Sequence, residues 1–165
     1  MRWALAILCA VIGGGPQYAA AQAAVHIEPA DARNTLNLRD QTASAAIQDY
    51  LEAWQTLKTA FQQNRPDLLD QGFIGTAKDK LSETIHQQSA LGIRTKYQDR
   101  SHDVQIVFYS PEGLSLELKD SVDYDVQVLD HDQALTPQHL RATYIVVMSP
   151  TETRWRVRVF QAEHD

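Results

Sequence analysis

Between Leu114 and Val128 the apolar residues Leu114, Leu116, Leu118, Val122, Tyr124, Val126 and Val128 all fall on even positions, and no other feature constrains the fold as tightly. A period of two held this long is a strand with one buried face. One inserted residue would turn every later side chain to the opposite face, so this strand carries no bulge. Asp120 is the only carboxylate on the apolar parity. Upstream, Val104, Ile106 and Phe108 alternate with Asp103, Gln105 and Val107. Ser110-Pro111-Glu112-Gly113 then supplies a three-residue hairpin, with proline fixing one φ and glycine taking a positive one. Pairing Ser110 with Leu114 sets Phe108 against Leu116, Ile106 against Leu118, Val104 against Asp120 and His102 against Val122. A third strand, Leu140 to Met148, is apolar on both faces at its end. The last alternates Trp155, Val157 and Val159 against Arg154, Arg156 and Arg158. The four form an antiparallel meander.

Ahead of the strands the period is helical. Ile47, Tyr50, Leu51, Trp54, Leu57 and Phe61 recur at three- and four-residue steps, which predicts a helix from Gln41 to about Asn64. Asp40 or Thr42 caps it and Asn64-Arg65-Pro66 breaks it. A short helical turn from Pro66 to Gln71 ends at Gly72, and Thr76-Ala77-Lys78-Asp79 forms a capping box for a further helix closed by Gly92. The expected class is α+β: N-terminal helices on the concave face of a curved four-stranded antiparallel meander. Residues 24–40 are aperiodic and read as an N-terminal arm, and residues 41–165 as the domain.

Residues 1–23 read as an export signal. Arg2 precedes an apolar run from Trp3 to Ile12, a Gly13-Gly14-Gly15-Pro16 breaker and the small residues of Ala19-Ala20-Ala21-Gln22-Ala23. That run is too short for a helix that crosses a bilayer, which takes roughly 20 residues. Cleavage after Ala23 or Ala21 is expected to leave a periplasmic or secreted chain with no membrane span. It also removes Cys9, the single cysteine, so no disulfide or thiolate chemistry is expected. A net charge of -6 with no cluster of Lys and Arg excludes a nucleic-acid partner.

A long first helix carrying Tyr50 and Trp54, a short second, a third entered through Phe73-Ile74-Gly75-Thr76-Ala77 and closed by Gly92, then long alternating strands, resembles the nuclear transport factor 2-like superfamily. The resemblance covers about residues 41–161. It implies a cone in which helices plug a strongly curved sheet. It is compatible with ketosteroid-isomerase-like enzymes, small-molecule binders and dimerisation modules alike. Isomerase-type members place a tyrosine on the first helix as an oxyanion donor, a role Tyr50 matches.

In the register above, His102 and Asp120 are diagonal neighbours on one face. Two readings are open: an acid–base pair looking into the cone, or a bend at Lys119-Asp120-Ser121 that leaves Asp120 solvated. Tyr50 is likewise either an oxyanion donor or a core residue. Tyr50, Trp54, His102, Asp120 and Tyr124 form the candidate pocket. The pairs His102-Asp103, His131-Asp132 and His164-Asp165 lack chelating spacing, and no phosphate loop or nucleophile elbow is present; no metal and no cofactor is expected. Tyr109, Ile145, Val147 and Phe160 share the outward parity with Arg156 and Arg158, a composition found where proteins meet. A homodimer through that face is expected, with Lys58, Gln62, Lys78 and Lys80 of the helices left to solvent. The expected function is an exported non-catalytic module for a small apolar ligand or a protein partner. The alternative is an isomerase- or dehydratase-type enzyme using Tyr50, His102 and Asp120.

Overall fold

Ala46, Ala53 and Ala60 lie seven residues apart on the helix α1, Asp40–Gln63, among the larger buried residues Ile47, Tyr50, Trp54, Leu57 and Phe61. Their small side chains bring the helix close to what it packs on. Asn64, at φ 53, turns its N–H back to the Ala60 carbonyl and ends the helix. The computed structural model that shows this describes residues 22–163; residues 1–21 of the expected signal and the His164-Asp165 pair lie outside the described residues. A 3-10 turn, Pro66–Gln71, then carries Gly72 against Ala53. A Cβ on Gly72 would stand 2.6 Å from that of Ala53, so glycine is required for the approach. Helix α2, Gly75–Ala90, begins one residue earlier than the expected cap at Thr76 and has no side-chain cap. The Ile74 N–H is bonded to the Val157 carbonyl instead, which pins the helix start to the sheet.

The strands are β1 Ala24–Ile27, β2 Ile93–Tyr109, β3 Leu116–Asp130, β4 Gln133–Ala134, β5 Gln138–Pro150 and β6 Trp155–Ala162. Their order is β1-β2-β3-β5-β6, with β4 on β3. The fold is α+β, a few helices packed against a curved, unclosed sheet, and β2, β3, β5 and β6 are the antiparallel meander. One expectation is corrected: residues 24–27 are not arm but a parallel edge strand on Ser101–Val104. All four of its residues are exposed, so no buried alternation marks it in the sequence.

β3 carries no extra residue, and Leu116, Leu118, Asp120, Val122 and Tyr124 all face inward and are buried. Its neighbours take up the irregularity. Arg100 and Val107 are extra residues in β2, and Arg158 is one in β6. Each bulge reverses the parity beyond it and sharpens the local bend. After Val107, Tyr109 rather than Phe108 pairs with Leu116. The Ser110 backbone N–H bonds to the Ser115 carbonyl, while Leu114, whose N–H reaches the Ser110 side-chain hydroxyl, lies in the turn and is exposed. After Arg158, Phe160 faces inward.

Candidate functional site

The inward position of Asp120 is filled with polar partners. Asp120 is 0% and His102 1% exposed, so the solvated-bend reading does not hold. Tyr50, one turn before Trp54 on the buried stripe of α1, donates its hydroxyl to Asp120 Oδ2 at 2.6 Å. His102 Nδ1 donates to the same oxygen at 2.7 Å. The other imidazole nitrogen, Nε2, lies 3.6 Å from Asp99 Oδ2. Lys58 Nζ donates to that carboxylate at 2.8 Å and Gln55 Nε2 at 3.3 Å. The Trp54 ring stands edge-on to His102, centroids 5.2 Å apart.

Electrostatics fix the protonation states. Burial works against charge on His102, but Asp120 and Asp99 together outweigh it and lift the imidazole to about 9. It is an imidazolium at neutral pH. Burial raises Asp99, and the neighbouring His102 together with Lys58 outweighs this and holds it well below the usual carboxylate range. Burial and the Asp120 charge push the Tyr50 hydroxyl well above its ordinary value. The array thus holds an imidazolium at His102, a carboxylate at Asp99 and a neutral Tyr50 hydroxyl, with Lys58 seated on Asp99 and Asp120 between Tyr50 and His102. Two members escaped sequence reasoning. Strict parity puts Asp99 outside, but the Arg100 bulge turns Tyr97 and Asp99 inward with His102, and Lys58, expected in solvent, is drawn to Asp99. The signal was there: the aromatic Tyr97 sits on the parity opposite to His102.

Above Trp54 the cone is filled by rings. Tyr144 and Phe160 stack at 4.7 Å, Trp54 lies 5.4 Å from Tyr144 and 6.3 Å from Tyr124, and the Tyr124 and Tyr144 hydroxyls bond at 3.1 Å. The open space is elsewhere. A groove of about 1140 Å³ runs along the flank of α1, between that helix and the edge formed by β1 and the first half of β2. Asp99 and His102 form part of its floor, while Tyr50, Trp54, Asp120 and Tyr124 do not line it.

Solved structures share this architecture, two of them as follows. The intermembrane space region of the chloroplast protein ARC6 superposes with a TM-score of 0.62 at 11% identity, over 78% of this chain and 99% of that one. A scytalone dehydratase-like protein from Novosphingobium aromaticivorans superposes with a TM-score of 0.53, also at 11% identity, over 76% of this chain and 89% of its own. The likeness is one of fold. No protein-family model matches the chain, and no curated protein is similar to it in sequence. Among the described residues, no helix is long and apolar enough to cross a membrane.

The residues expected on the outer face divide. Ile145 and Val147 lie opposite Lys119 and Glu117 on that face, and Arg156 opposite Ser149. Arg158 is the exposed bulge residue. Tyr109 and Phe160 are corrections: Tyr109 packs toward Trp155 at 6.4 Å, and Phe160 against Phe73 and Trp54 at 6.2 and 5.9 Å. Both were displaced inward by the bulges that precede them. Phe108, 41% exposed, and Val159 take their places outside.

Proposed function

We propose that this chain is a non-catalytic binding module that holds a small, elongated, mainly apolar molecule in the groove beside α1. The observation that carries this reading is the separation of the groove from the filled cone. Val25 and Ile27, 46% and 55% exposed, face Ala43, Ile47 and Leu51 across open space, an apolar lining of the kind that ligand sites use. Chemistry at the array is disfavoured by its own geometry. Asp120 already accepts two short hydrogen bonds away from solvent, and an imidazole near 9 flanked by two carboxylates has no free lone pair to act as a base at neutral pH. The reading keeps the export of the chain, with processing near Ala21 or Ala23, and pairing of two copies through the outer face at Phe108, Ile145, Val147 and Val159.

Displacement of an environment-sensitive alkyl fluorophore tests the groove. Wild type binds the probe with micromolar affinity. Leu51→Arg, at a half-buried position on the groove wall, weakens it at least tenfold and leaves the unfolding midpoint nearly unchanged. Absence of probe binding to wild type, or unaltered binding by L51R, overturns the proposal.

A further inference from the structure

The groove changes character along its length. α1 runs antiparallel to β2, with Asn64 reaching the Ile93 carbonyl and Lys58 reaching Asp99. The end of the groove near Asp99 is therefore lined by Lys58, Gln55, Lys96 and Gln98. From Leu51 back to Ala43 the helix presents an apolar stripe of Leu51, Ile47 and Ala43 toward Val25 and Ile27, with Ser44 and Gln48 also in the lining. At 1.5 Å per residue that apolar stretch is about 12 Å long.

The charges at the polar end do not cancel. Lys58 is matched by Asp99 and His102 by Asp120. Lys96 is exposed and makes no ion pair among the described residues. The acidic residues of the lining are placed otherwise: Asp40 lies at the opposite mouth, on the first turn of α1, and Glu52 is engaged by Arg154 at 3.5 Å and Gln48 at 3.3 Å. One unpaired cation beside two side-chain amides, at the end of an apolar trough, is a receptor for a charged head on a greasy chain.

We propose that the ligand class of the groove is a single-chain amphiphile with a terminal carboxylate. Its chain lies between α1 and β1 and its carboxylate meets Lys96, with Gln55 and Gln98 as neutral donors. This rests on the groove being a binding site, and the experiment separates the two claims. Calorimetric titration of the protein with dodecanoate, dodecanol and dodecyltrimethylammonium, each below its micelle concentration, reads the head-group preference directly. Dodecanoate binds at least fivefold tighter than dodecanol at low ionic strength, and the advantage shrinks as salt screens the exposed lysine. Lys96→Gln removes the advantage and leaves dodecanol affinity unchanged. Equal affinity for dodecanoate and dodecanol in wild type, tightest binding of the ammonium compound, or a preference that survives in K96Q overturns the carboxylate assignment and leaves the groove standing. If none of the three binds wild type, the groove reading falls as well.

Discussion

Leu118 and Asp120 sit two positions apart on the same face of the same strand, both wholly buried, yet their surroundings have almost nothing in common. Leu118 is flanked by Ile106 and Val146 on the neighbouring strands and by Leu116 two positions along its own, all buried and apolar. Around Asp120, Tyr50 and His102 bond to one carboxylate oxygen, and a second carboxylate and Lys58 follow behind. The first region is stabilised by area removed from water, to which many side chains of similar volume contribute equally. The second is stabilised only while its members are matched, because each one left alone is a buried charge.

The comparison breaks most sharply at Asp120. Asp120→Ala strands the imidazolium and the Tyr50 hydroxyl and costs about 3–5 kcal/mol in urea unfolding, the range for breaking a buried pair from one side. Much of that is recovered in the double variant His102→Leu/Asp120→Leu, where nothing polar is left unpaired. Leu118→Ala costs about 2–5 kcal/mol by cavity formation, and no second substitution of this kind restores it. A loss below about 1 kcal/mol in D120A would mean that the array contributes nothing by pairing.

Acidity sharpens the same contrast. His102 is raised from 6.5 to about 9 on folding, so its contribution is fully present below pH 6.5 and is lost as pH rises through 9. Asp99 is depressed, so its contribution is present above its ordinary value and is lost as pH falls through the acid range. Stability from urea unfolding between pH 5 and 10 falls on the alkaline side by on the order of 3 kcal/mol, from 1.36 kcal/mol per pH unit of displacement. The increment lost through L118A stays constant across that range, and the loss in D120A shrinks as pH rises. A flat wild-type profile between pH 6.5 and 9 would exclude a charged His102.

The smallest effect on stability is expected outside the cone. Val147→Asp, on the outer face beside Val159 and across Glu117 from Phe108, changes unfolding by less than about 0.5 kcal/mol and shifts sedimentation of the protein from dimer to monomer. A wild-type monomer at tens of micromolar, or unfolding of V147D, removes the outer-face pairing.

Long periodic segments were legible in the sequence, and single inserted residues were not. The even parity of β3 and the stripe of α1 are repeated signals, each apolar residue supporting the next, and they place Tyr50, Trp54, His102, Asp120 and Tyr124 on inward faces. A bulge is one residue with no composition of its own. Arg100, Val107 and Arg158 look like ordinary members of their strands, and each moved its neighbours across the sheet: Asp99 inward to join the array, Tyr109 and Phe160 inward from the expected interface. The groove was illegible for a related reason. One of its walls is β1, whose exposed side chains leave no pattern, and its position depends on a pairing between segments distant in the chain.

That distant pairing also orders events in time. β1 docks on the middle of β2, which follows it in the chain only after α1, the 3-10 turn and α2, so the strand has no template until the meander exists. It contributes four residues and no buried side chain, which makes it less costly to detach than any strand of the meander. Hydrogen exchange is expected to be faster at its amides, through local opening, than at those of β3 and β5. The groove therefore has a complete wall only once the meander exists, and its width is set by an edge strand that buries none of the core.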